Sequence, residues 1–136
     1  MTIGSPVADA TKAVLCFDYG PPDQLRVASV AMPPLDPANV RVRVRAAGVN
    51  FPDTLIILGK YQLRPEFPFA PGFEVSGEIV EVGDAAGDWS VGTKVVGLTA
   101  SGFGGFADYA DIRGENTIQV PGDVDEIMAA AVYTTY

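Results

Sequence analysis

From Asn39 to Ala46 the chain reads Asn-Val-Arg-Val-Arg-Val-Arg-Ala, an alternation of apolar and charged residues at every step. A period of two puts the valines on one face of an extended strand and the arginines on the other, and no helical period fits it. The segment is a half-buried strand, with Arg41, Arg43 and Arg45 expected on its solvated face. A lone strand cannot bury its apolar side, so the remaining sequence has to supply partners.

Those partners are legible on both sides. Ala13 to Asp18 and Leu25 to Met32 read as two strands around a Gly20-Pro21-Pro22-Asp23 turn, and Gly72 to Val82, Lys94 to Thr99, Gly105 to Ile112 and a short piece near Ile118 continue the pattern. Asn50 precedes Phe51 to Leu58 and Gly59 follows them, which predicts a short helix with a polar N-cap and a glycine stop. Phe67 to Pro71 is an extended, proline-punctuated loop. Asp123-x-x-Glu126 has the form of a capping box, and an Ala-rich helical run is expected from Ile127 to Tyr136. The fold class is therefore mainly β with short helices, barrel-like or sandwich-like.

Bulk properties narrow the function. The 136 residues match one compact domain, and 48% hydrophobic content with 19% charged is globular composition. A net charge of -8 repels phosphate backbones and anionic lipid, so neither nucleic acid nor membrane is an expected partner. Cys16 is the single cysteine, which rules out an internal disulfide and suits the cytoplasm. Residues 1–12 are expected to be a flexible leader, since they carry neither a basic start nor a continuous apolar run.

Four stretches in order carry a resemblance: Ala47-Gly48-Val49-Asn50-Phe51-Pro52-Asp53, Gly59-Lys60-Tyr61, Pro71-Gly72-Phe73-Glu74-Val75-Ser76-Gly77, and Gly92 to Ala110. Together the chain resembles the amino-terminal, GroES-like substrate domain of zinc-free medium-chain dehydrogenases/reductases, of the NADPH:quinone oxidoreductase type. The resemblance implies a GroES-like, partly open β-barrel over residues 13–122, and a start of a connecting helix over 123–136. That helix would lead towards a Rossmann cofactor domain absent from this sequence.

The zinc alcohol dehydrogenases of the same superfamily have a Cys where Asn50 stands and a His where Phe73 stands. Both are lost here, and the chain has no His at all. Zinc needs thiolate, imidazole or carboxylate donors, so no metal site is expected. Pro52 also occupies the position of the hydroxyl that relays a proton in those enzymes.

What the resemblance implies for this site is hydride transfer from NADPH to a quinone or an α,β-unsaturated carbonyl compound. Asn50 is expected beside the nicotinamide and substrate, as a catalytic and cofactor-binding residue, or as a helix cap, or both. Tyr61 is expected either as a catalytic phenolic donor to a developing oxyanion or as an amphipathic surface residue. Phe51, Phe69, Phe73 and Asp53 are the candidate substrate-binding residues, with core packing or a helix-dipole role as the alternative for each. Glu74 is expected as a loop-organising acceptor. An enoyl-thioester or alkenal reductase and a non-catalytic GroES-like binding module are the alternatives. By family, a full-length protein would be a homodimer and this piece monomeric or weakly associated, inactive alone, with its main NADPH site downstream.

Overall fold

The computed structural model describes residues 9–131. Seven strands and two short α-helices follow in the order β1 (Ala10–Leu15), β2 (Arg26–Ala31), β3 (Asn39–Gly48), α1 (Phe51–Ile56), β4 (Glu74–Val82), β5 (Lys94–Leu98), β6 (Tyr109–Arg113), β7 (Ile118–Gln119) and α2 (Glu126–Ala130). β1 and β2 form an antiparallel hairpin, and the others form an open five-stranded sheet in the order β6-β3-β4-β5-β7. Beyond its paired stretch, β5 approaches β6 at the isolated bridge of Thr99 with Ile112, so the sheet curls without closing. The mainly β, partly open architecture follows.

The alternating segment is the centre of this sheet. β3 pairs with β4 on one edge and β6 on the other. Its Val40 and Val42 are fully buried with Val75, Ile79, Val95 and Ile112. At about 1.5–3 kcal/mol per buried aliphatic side chain, this cluster is the main source of stability for the sheet.

The arginine face departs from expectation at one position. Arg43 and Arg45 are exposed, whereas Arg41 is buried, at 5% exposure. It sits opposite Asp111 in the β3–β6 register and clasps it through Nε at 2.8 Å and Nη2 at 3.0 Å. Nη2 also donates to the Pro33 carbonyl at 2.8 Å, so the β2–β3 connection covers this end of the strand.

Element boundaries shift for local reasons. Residue 72 lies in the loop before β4, because Gly72 has φ +96° and breaks the extended run. The strand expected from Gly105 begins at Tyr109, since Gly104, Gly105 and Phe106 donate to the carbonyls of Ala70, Gly72 and Pro71 instead. β1 starts at Ala10, inside the stretch read as leader, whose residues 1–8 lie outside the described residues. At the other end Asp125, not Asp123, caps α2, its carboxylate accepting from the Ile127 N–H at 2.9 Å. The helical run read from Ile127 to Tyr136 is described only as far as residue 131.

Candidate functional site

Helix α1 starts where β3 runs out, and its first turn builds the site. Asn50 is extended at the N-cap, and its carbonyl accepts from the Asp53 N–H at 3.0 Å. Asp53 returns the interaction: its Oδ2 accepts from the Asn50 N–H at 2.7 Å. Its Oδ1 accepts from the Gly72 N–H at 3.0 Å. The carboxylate is 5% exposed. Burial pushes its pKa up, the two backbone bonds oppose that, and the neighbouring Glu74 charge adds to the rise.

Glu74 opens β4 and is 1% exposed. Its Oε1 accepts from Asn50 Nδ2 at 3.2 Å. Asn50 is thus the expected N-cap in position, and its side-chain amide reaches across to the neighbouring strand.

Asp53, Tyr61 and Phe73 meet in one pocket of about 490 Å³, walled by Pro52, Leu63 and Leu98. Tyr61 is half-buried and rests on the cluster of Cys16, Ile56, Ile57 and Phe69. The glycine stop brings this about: Gly59 has φ +69°, turning the chain out of α1 directly into Lys60 and Tyr61. Phe73 is held by a backbone bond from Thr99 N–H to its carbonyl at 2.8 Å, which joins the wall to the end of β5.

The two other phenylalanines go elsewhere. Phe69 is buried at 3% exposure, exchanging backbone bonds with Cys16 and lying in an aromatic row with Phe67 and Phe103. It borders a separate cavity of about 550 Å³ under the β1–β2 hairpin, away from Asp53 and Tyr61. Phe51 projects outward, 73% exposed. Leu98 and Gly102 complete the pocket from the Gly92 to Ala110 stretch, in which the sequence singles out no individual site residue, and Gln62 and Leu63 line it beside Tyr61.

Among the described residues no three His, Cys, Asp or Glu side chains come together at metal-binding distance. The Cys16 thiol is buried, donates to the Asp18 carbonyl, and has its pKa raised chiefly by burial. Also among the described residues, no helix is long and apolar enough to cross a membrane.

Residues 36–122 match the alcohol dehydrogenase GroES-like domain. The chain belongs to that family. It is 37% identical over 129 residues to the quinone oxidoreductase-like protein 2 homolog of Nematostella vectensis, covering 92% of this chain and 34% of the relative. A probable oxidoreductase from Mycobacterium abscessus superposes with a TM-score of 0.84 at 32% identity, over 93% of this chain and 40% of that one. A mycobacterial protein solved with NADPH gives 0.74 at 34% identity, over 90% and 38%. The chain is therefore a GroES-like domain, similar to the corresponding part of quinone oxidoreductase-like proteins, and it spans about a third of the length of those curated relatives.

Proposed function

We propose that this chain is the substrate-side domain of a zinc-independent oxidoreductase that passes hydride from NADPH to quinones or related α,β-unsaturated carbonyl compounds. The observation that carries the reading is the pocket in which one phenol, Tyr61, faces the same apolar space as Phe73, beside the first turn of α1. An aromatic or enone ring is accommodated by such walls, and a phenolic O–H stabilises the oxyanion that develops as hydride arrives.

NADPH, when bound, supplies the hydride. The described residues fit one end of it only. Asn50 offers an amide for the nicotinamide or ribose end. The glycine-rich stretch Gly102-Phe103-Gly104-Gly105 runs on towards β6 and not into a helix N-terminus, so it forms no pyrophosphate cradle. The phosphate contacts belong to sequence outside this chain. The lone buried thiol and the acidic charge agree with a cytoplasmic protein acting on small molecules, and a dimer at full length is what the family resemblance implies.

The test is calorimetric titration with NADPH and a quinone reduction assay on the 136-residue chain and on the longer protein. The chain alone should bind no NADPH at micromolar concentration and turn nothing over. The longer protein should oxidise NADPH with quinone or enone acceptors, and Tyr61→Phe should lower its kcat by roughly 10- to 100-fold. A longer protein that binds no nicotinamide cofactor would make the domain a binding module instead.

A further inference from the structure

We infer that Glu74 is a positioning residue, whose buried carboxylate, folded across Gly48, holds the Asn50 side-chain amide in one orientation. This rests on the proposed role of Asn50 beside substrate and nicotinamide. Glu74 and Gly48 face each other in the β3–β4 register. A Cβ on Gly48 would lie 2.3 Å from Glu74 Oε1 and 3.1 Å from the Ala130 carbonyl oxygen. Gly48 is not among the glycines with positive φ, so the backbone conformation does not call for glycine there. The space does: without a side chain at 48, the Glu74 carboxylate lies over the strand and meets Asn50 Nδ2 at 3.2 Å.

An asparagine amide is nearly symmetric in shape but opposite in chemistry at its two ends. An ionised carboxylate only accepts, so an amide turned over would set Oδ1 against Oε1. Glu74 thereby favours the orientation with Nδ2 towards the strand, the same orientation that leaves Oδ1 for the Asp53 N–H of the α1 capping box. Within a buried environment that selection is strong, since the amide–carboxylate bond is charge-assisted. Glu74 touches no reacting group itself; its effect passes through Asn50.

The first experiment uses the ¹⁵N-labelled 136-residue chain, with the Asn50 side-chain pair identified by its loss in Asn50→Ser, which keeps a capping oxygen. Its solvent exchange should be at least about tenfold slower than that of the exposed Asn116 pair. Glu74→Ala should abolish the difference, Glu74→Gln, which can also donate and so pairs with either end of the amide, should reduce it, and Gly48→Ala should weaken it by displacing the carboxylate. The backbone amide of the fully buried Val75 reports whether each variant is folded. Unchanged Asn50 protection in folded Glu74→Ala overturns the inference. In the longer protein, Glu74→Ala should lower kcat at least about tenfold with KM within about twofold, and Glu74→Gln should recover only part of it. Turnover lost in Asn50→Ser but kept in Glu74→Ala refutes the positioning role and leaves the proposed function standing. Full turnover in Asn50→Ser removes Asn50 from the site altogether.

Discussion

Asp53 and Gly72 are joined by a single buried bond, the Gly72 N–H donating to Oδ1 at 3.0 Å, and it fastens helix α1 to the loop that leads into β4. Because Oδ2 takes the Asn50 N–H at the same time, one carboxylate satisfies two buried donors from opposite sides of the site. Asp53→Asn keeps the shape but has one acceptor atom, so one donor is left facing an NH₂ group. Stability at neutral pH should fall by about 1–3 kcal/mol, the cost of an unsatisfied buried donor. Urea denaturation of the two proteins measures it. A more stable Asp53→Asn would mean that relief of the buried charge outweighs the lost bond.

The same residue gives a pH dependence of known sign. Burial raises the Asp53 pKa above 3.8, so the folded state binds a proton that the unfolded state does not, in the window between 3.8 and the raised value. Through that window this group's contribution to stability falls as pH rises. Relative to Asp53→Asn, which does not titrate there, the wild type should gain stability as pH drops from neutral into the window. Paired urea curves at several pH values test this. A wild-type advantage that shrinks on acidification would contradict the raised pKa.

Arg41 and Arg43 are two residues apart and should behave oppositely. Arg41→Leu leaves Asp111, itself largely covered, without its bidentate partner and frees the Pro33 carbonyl. A loss of about 2–4 kcal/mol is expected, while Arg43→Leu on the exposed face should stay within about 0.5 kcal/mol. Equal midpoints in urea would place the Arg41–Asp111 pair among the ion pairs that contribute nothing.

This contrast marks where the sequence is readable and where it is not. Period two places Arg43 and Arg45 in solvent as observed but misses the burial of Arg41, because coverage of that position depends on the Pro33 segment and on β6, which are brought in by tertiary packing. The N-cap at Asn50 and the stop at Gly59 are local signals, and both lie where the sequence places them. The pocket is less legible because Leu98 and Gly102 reach it from β5 and the following turn. The candidate phenylalanines separate for the same reason: only Phe73 faces Tyr61, while the register of neighbouring segments sends Phe69 to the core and leaves Phe51 in solvent.

Zinc content provides an independent check on the subclass. Asn50 and Phe73 carry no zinc-binding donor, the sequence contains no His, and Cys16 is turned to the Asp18 carbonyl. The purified chain should hold no stoichiometric zinc by elemental analysis. About one tightly bound zinc per chain would overturn the zinc-independent reading.

Helix α2 offers a direct comparison of two ways to hold one element. The Ser76 hydroxyl, fully buried on β4, donates to the Glu126 carbonyl. The Glu126 side chain meanwhile approaches Arg45 Nε at 3.3 Å and Lys94 Nζ at 3.7 Å, but both cations are more than half exposed. Water screens those pairs, and each should contribute less than about 1 kcal/mol. The buried hydroxyl has no such competitor, and removing it deletes one buried bond between β4 and α2 at a cost of about 1 kcal/mol. Ser76→Ala should therefore loosen α2 more than Glu126→Gln does, and raising the salt concentration should narrow the effect of Glu126→Gln while leaving that of Ser76→Ala unchanged. Hydrogen exchange at the buried Ala129 and Ala130 amides reads the helix directly. If Glu126→Gln releases them faster than Ser76→Ala, the ion pairs and not the hydroxyl are what fix α2 to the sheet.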